Sequence, residues 1–257
     1  MDIDENRIAD LDIYLTRMQR SILDKMFFID KVFEPFENIL DFGCANGELI
    51  KAMKPMFPGY RYLGYDISSE MINAARENVS GAEFYDDCDS IDIPFDKSLI
   101  NISSTIHEVY SYGSDEDIRV FWERVFDSGF RYVTIRDMSC PASMAEIPCD
   151  EKKLDIIRKS GCGQWLESFE DVWGKVKTQR DMVHFLLKYK YTLNWDREVH
   201  ENYLPITTEE MMSRIPEGYR VVLKDSFALP YISWQIRKDF GFDLTEHTHI
   251  KLILEKI

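Results

Sequence analysis

Short apolar runs and helical patterns take turns along residues 38–138, and this alternation constrains the fold more than any other feature of the chain. The strand-like runs are NILD (38–41), YRYLGYDI (60–67), AEFYDD (82–87), SLINISSTI (98–106) and RYVTIRDM (131–138). Between them, 47–54 reads as a helix ended near Pro55 and Pro58, and SSEMINAARENV as a helix with Ser68 or Ser69 at its N-cap. Residues 115–127 place Ile118, Phe121, Trp122 and Val125 on one helical face. Such βαβ units predict an α/β fold, a mostly parallel sheet with helices on both faces. Because crossovers are right-handed, ligands gather at the carboxyl ends of the strands, where the strand order reverses.

The flanks complete the architecture. Ile8, Leu11, Leu15, Met18, Ile22, Met26, Ile29 and Phe33 recur at steps of three and four, predicting a helix over 8–33 that Pro35 stops. Residues 140–205 hold helical patterns and no clear strand, whereas 218–228 and 247–256 alternate and predict a closing antiparallel hairpin at the sheet edge. The expectation is one domain over 1–257. It comprises N-terminal helices (1–37), a core (38–139), a helical cap inserted between strands five and six (140–207), and closing strands (208–257).

Composition excludes several functions. A net charge of −15 repels phosphate backbones, and no Lys/Arg run supplies a local exception, so no nucleic-acid partner is expected. No apolar run approaches the ~18 residues of a membrane span. The start, MDIDENRIAD, lacks the basic and apolar regions of a signal peptide, which predicts a cytoplasmic protein. Five cysteines without a C-x-x-C pair indicate neither a disulfide framework nor a zinc site. His247 and His249 could share a metal from one strand face, but no third ligand accompanies them and no metal is expected.

Between the first strand and its helix lies DFGCANG (41–47). Gly43 and Gly47 permit φ > 0 and close ligand approach. The spacing G-x-x-x-G is neither the G-x-G-x-x-G of a dinucleotide site nor a P-loop. Asp66, at the end of the second strand, can accept both hydroxyls of a ribose, which points to a nucleoside ligand without a pyrophosphate.

In order, ILDFGCANGELI, LGYDISSEMI, AEFYDDCDSIDIPF and LINISSTIHEV resemble the class I S-adenosylmethionine-dependent methyltransferases over residues 38–137. The resemblance implies a Rossmann-like sheet, S-adenosylmethionine as cofactor and S-adenosylhomocysteine as product. By match, Asp41, Gly43, Cys44 and Gly47 pack against the methionine half of the cofactor, with Ala45 between them in the turn. Asp66, with Ile67 beside it, binds the ribose, and Ser103 closes the site from strand four. Asp87 or Asp89 reaches the adenine amine, with the register open. Ala45 departs from the family glycine, and its methyl crowds the turn. The whole-chain pattern also faintly resembles phage methyltransferases and those that modify capsular phosphoramidates.

A methyl acceptor that carries a proton needs a base, and an anionic oxygen needs cationic or N–H donors instead. His107, just after strand four, is the expected catalytic base for O-methylation, with a structural histidine as the alternative. Glu108 either orients His107 or faces solvent, and Tyr110 walls the pocket or packs under the next helix. Arg136 ends strand five, where it can grip an anionic substrate or form a salt bridge. Tyr14, Arg17 and Lys25 lie at the polar edge of the first helix, as solvated surface residues or, for Tyr14 and Arg17, as substrate contacts; His200 and Tyr203 in the cap complete the expected contacts, with Arg197, Glu198 and Asn202 nearby. The cap reads as a lid over a small polar molecule or as an ordinary packing surface. The expected partner is a small-molecule substrate, and the expected state a monomer or homodimer.

Overall fold

The computed structural model describes residues 21–32 and 35–257. Seven strands form one sheet: β1 (Asn38–Phe42), β2 (Arg61–Tyr65), β3 (Glu83–Tyr85), β4 (Ser98–Ser103), β5 (Tyr132–Met138), β6 (Tyr219–Phe227) and β7 (His249–Lys256). Their order is β3-β2-β1-β4-β5-β7-β6. The first five are parallel, and β7 runs antiparallel to both β5 and β6. Strand order reverses between β1 and β4, so their carboxyl ends flank the crevice where an α/β sheet takes ligands. β1, β4 and β5 are buried at every position, as strands covered on both faces must be.

Helices begin where capping chemistry starts them. Ser68 accepts the N–H of Met71 and opens Ser69–Asn78. Capping boxes open Asp115–Asp127, Gln179–Lys188 and Thr208–Ser213. The helix after the glycine turn, Glu48–Met56, continues one residue past Pro55. Of the helix expected over 8–33, only Ile22–Lys25 is helical within the described residues; the rest, apart from turns at 26–31, lies outside them.

Two expectations are corrected. The fourth strand stops at Ser103, not 106. Ser104 turns into the left-handed region (φ 59°), and Thr105 and Ile106 donate their N–H groups to the Asp137 carboxylate at 2.8 and 2.7 Å. That carboxylate opens a new helix, Ile106–Tyr112. The closing strands are not a hairpin. The helix Pro230–Phe240 joins them, with proline fixing its first turn and Gly241 (φ 76°) ending it, and β7 inserts between β5 and β6. His249 is the first residue of β7 and is buried, whereas His247 precedes the strand and is exposed, so the two do not share a face.

The cap consists of Glu151–Lys159, Gly163–Trp173, Gln179–Lys188 and the short turns after them. Phe169, Phe185, Leu186 and Trp195 form its core, continuous with Met138 and Cys140 at the end of β5 and with Leu229, Ile232 and Ile236. The cap is thus anchored on the sheet's carboxyl edge from two separate parts of the chain. Among the described residues no helix is long and apolar enough to cross a membrane.

Candidate active site

The glycine turn is held from both sides. Gly43 and Cys44 donate their N–H groups to the Tyr65 carbonyl at 2.7 and 2.9 Å. Asp66 accepts from Ala45 N at 2.8 Å through one oxygen and from Ser68 N at 3.0 Å through the other. Burial pushes the Asp66 carboxyl up, and these two N–H groups pull it back. Gly43 (φ 81°) has no room for a side chain, because a Cβ would sit 2.3 Å from Thr105 Oγ1. Ala45 also adopts φ 44°, a left-handed geometry that glycine takes without steric cost. Gly47 is the N-cap of Glu48–Met56, and no side chain satisfies that helix start. Asp41 is buried below the turn and accepts from Asn101 Nδ2 at 2.8 Å; burial raises its carboxyl to about 6.

Across the crevice stands a buried ionic network. His107 Nδ1 meets Asp137 Oδ1 at 2.7 Å, and His107 Nε2 meets Glu201 Oε1 at 3.1 Å. Asp137 also accepts from Thr105, Ile106 and Met138 N–H groups, and the imidazolium holds its carboxyl below the usual range despite burial. Burial alone would lower the His107 pKa, but the charges and hydrogen bonds of Asp137 and Glu201 win and push it up to about 10. Arg197 donates to Glu201 at 2.8 Å and to Glu108 at 3.2 Å. Burial and the neighbouring Glu201 raise Glu108 to about 7. Lys188, fully buried among Phe169, Trp173 and Tyr203, donates to the Glu201 carbonyl at 2.5 Å and fixes that segment of the cap.

One chamber connects these two constellations. Of the residues expected at the site, Gly43, Ala45, Asp66, Ser103, His107, Glu108, Arg136 and Tyr203 line it. Asp41, Cys44 and Ser103 border a small recess just beneath the turn. The other expected residues that the structure describes do not line the chamber. Ile67 is exposed beside it. Asp87 caps the short turn Cys88–Ser90, and Asp89 pairs with Arg124 at 2.8 Å, both at the surface. Tyr110 packs under the next helix and accepts from Trp122 Nε1 at 3.0 Å. His200 is exposed, its Nδ1 2.8 Å from the Asp196 carbonyl. Tyr14 and Arg17 lie outside the described residues.

Three chamber residues escaped sequence reasoning. Glu201 follows Arg197 by four residues, the spacing of a helical ion pair, and that was its available signal. Lys25 looked like a surface residue at a helix edge but is buried; burial, then the Arg136 charge, lowers it to about 8. His249 lies opposite Met138 on β5, so the antiparallel return of β7 carries it into the site. His107, Glu108 and Glu201 also offer ligand atoms close enough for a metal. Arg197, bridging both carboxylates, already supplies the compensating cation there.

Residues 39–128 match the family model described as a methyltransferase domain. Residues 39–128 thus carry a methyltransferase domain, set in a sheet whose order, β3-β2-β1-β4-β5-β7-β6, is that of the Rossmann-like methyltransferase fold. No curated protein matches the sequence. Solved structures share its fold at low identity. PhzM, a pyocyanin biosynthetic protein, is similar at 14% identity and TM-score 0.54, covering 98% of this chain and 60% of that one. An S-adenosylmethionine-dependent methyltransferase from Anabaena variabilis is similar at 12% and 0.51, covering 93% and 85%. The plantazolicin methyltransferase BamL, in complex with a desmethyl plantazolicin analogue and S-adenosylhomocysteine, is similar at 14% and 0.50, covering 95% and 87%.

Proposed function

We propose that this enzyme methylates a hydroxyl of a small polar acceptor, such as a sugar or a nucleotide-linked molecule, bound beneath the cap. The observation that carries this reading is the single chamber running from Gly43, Ala45 and Asp66 to Glu198, Glu201 and Tyr203 of the cap. A covered chamber favours a small acceptor over a polymer, and a charge of −15 disfavours nucleic acid.

The residues present fit the cofactor. The uncapped start of Glu48–Met56 leaves backbone N–H groups for its methionine half, whereas those of Gly43, Cys44, Ala45 and Gly47 are taken up inside the turn and hold its shape. Asp66 lines the chamber, which supports giving it the ribose hydroxyls. When bound, the cofactor supplies both the activated methyl and the leaving group. The protein excludes water and aims the acceptor.

A hydroxyl must lose its proton during transfer, and the base needs a free lone pair. His107 lacks one, since both its nitrogens face carboxylates. We therefore assign it to holding Glu201 and Asp137 in place, not to proton abstraction. His249 is the better base. Its Nδ1 meets Thr248 Oγ1 at 2.8 Å, its Nε2 has no hydrogen-bond partner among the described residues, and it lines the chamber. Burial, and then the Arg136 charge, keep the ring neutral.

Two experiments test this reading. Calorimetric titration with S-adenosylmethionine should show binding, with NADH giving none. Asp66→Ala should weaken it about 10–100-fold, and unchanged affinity would remove the ribose assignment. Methyl uptake from labelled cofactor, screened over hydroxylated, phosphorylated and sugar-linked acceptors, checks the base. His249→Gln should slow it about 10²–10⁴-fold at unchanged cofactor affinity. Full activity in that variant would clear His249 of the role.

A further inference from the structure

At one end of the chamber two buried polar atoms lack partners among the described residues, and a lysine stands beside them. Arg136 is 4% exposed. Its Nε donates to Asp24 at 2.9 Å and its Nη1 to Ser104 Oγ at 3.0 Å, but Nη2 has no hydrogen-bond partner among the described residues. Ser103 Oγ, on the residue in register with Arg136, is also buried and unsatisfied. Lys25 lines the same end and forms no ion pair among the described residues. Leaving a buried guanidinium N–H and a hydroxyl without partners is costly, and native structures do so where a ligand completes them.

The backbone is bent to build this arrangement. Ser104 takes φ 59°, a strained geometry for a non-glycine residue, and from there its hydroxyl fixes the guanidinium. The charge is unbalanced as well. Asp24 is the partner of both Arg136 and Lys251, while Lys25 feels Asp41, Asp137 and Glu108 without pairing with any of them. The other nearby carboxylates are engaged: Asp41 by Asn101, Asp137 by His107 and backbone N–H groups, Glu108 by Arg197.

We propose that Arg136, Ser103 and Lys25 form an oxyanion subsite for the acceptor, so that the molecule methylated carries a carboxylate or a phosphate. The inference rests on the methyl-transfer reading and narrows its substrate class. Lys25 and Ser103 also border the recess beneath the glycine turn and so stand between cofactor and acceptor; the position of Arg136 assigns the subsite to the acceptor. Asp66 and the glycine turn sit at the ends of β2 and β1, whereas Arg136 ends β5, two strand spacings or about 10 Å beyond β1 across the crevice. His249 enters the chamber beside Arg136, so an anion gripped there brings a neighbouring hydroxyl to the base. A planar guanidinium recognises such oxygens better than an ammonium does.

The test is titration of the full chain, saturated with S-adenosylhomocysteine, with inorganic phosphate and separately with acetate. At least one should bind, and the tighter of the two identifies the anion. Arg136→Gln should lose about tenfold or more of that affinity, and Arg136→Lys less, while S-adenosylhomocysteine binds both variants as it binds the parent. That unchanged binding also shows the variants fold. Absence of anion binding to the loaded enzyme, or binding that Arg136→Gln leaves intact, would overturn the subsite. A tenfold loss of S-adenosylhomocysteine affinity in the folded Arg136→Lys protein would give the subsite to the cofactor and overturn the acceptor assignment. Phosphate binding lost in Arg136→Gln, in a parent that takes no S-adenosylhomocysteine, would keep the anion site and remove the methyl-transfer reading.

Discussion

Asp137→Ala should destabilise the fold by about 3–5 kcal/mol, the cost of breaking a buried ion pair from one side. The side chain satisfies four donors at once: His107 Nδ1 and the N–H groups of Thr105, Ile106 and Met138. Its loss leaves the His107 ring facing only Glu201, and leaves the start of Ile106–Tyr112 without its acceptor. Thermal melting should fall by roughly 10 °C or more, and a change of a degree or two would contradict the network's structural weight. The pH dependence separates charge from packing. A histidine whose folded pKa lies above its unfolded value of ~6.5 stabilises fully below that value. The contribution is lost as pH rises toward His107's folded value of about 10. The parent should therefore weaken between about pH 6.5 and 10. Asp137→Asn keeps the shape but removes one carboxylate, so it should weaken less steeply over that range. Asp137, depressed in the fold, works in the opposite direction: its stabilisation is present above ~3.8 and fades as pH falls below that.

Gly43→Ala should abolish tight cofactor binding. The new Cβ would lie 2.3 Å from Thr105 Oγ1 and 2.8 Å from its Cγ2, at a backbone φ of 81°. Thr105 cannot step aside freely, because it is buried and its hydroxyl donates to the Phe42 carbonyl at 3.1 Å. Left-handed strain of ~1–2 kcal/mol adds to an overpacking cost of ~1–3 kcal/mol. The turn must shift, and a displacement of an ångström suffices for about a hundredfold loss at a precisely shaped site. Calorimetry with S-adenosylmethionine measures the loss. Thr105→Ala in the same chain opens the space but leaves φ unchanged, so only part of the affinity should return. Full affinity in the single variant would show that the turn does not contact the cofactor.

The strand and helix periods, the capping serines and the acid-glycine turn are local signals, and local signals survive in a linear sequence. They determined the α/β core, the sheet's seven strands, and the positions of Gly43, Ala45, Asp66 and Ser103 around one crevice. The Pro230 and Gly241 that bound the helix between β6 and β7 were equally legible, but the alternation on either side outweighed them. Protonation and pairing were not legible, because they depend on residues brought together from far along the chain. His107 reads as a free imidazole until β5 supplies Asp137 and the cap supplies Glu201. His249 reads as half of a surface pair until an antiparallel strand lays it beside β5. Arg136 and Lys25, far apart in the sequence, become neighbouring cations only when the sheet edge and the first described helix meet. The sequence thus determined the acid-glycine turn and its place at the crevice between β1 and β4. Tertiary structure decided which side chains carry charge, because burial and neighbouring charges set a pKa and both are properties of the folded chain.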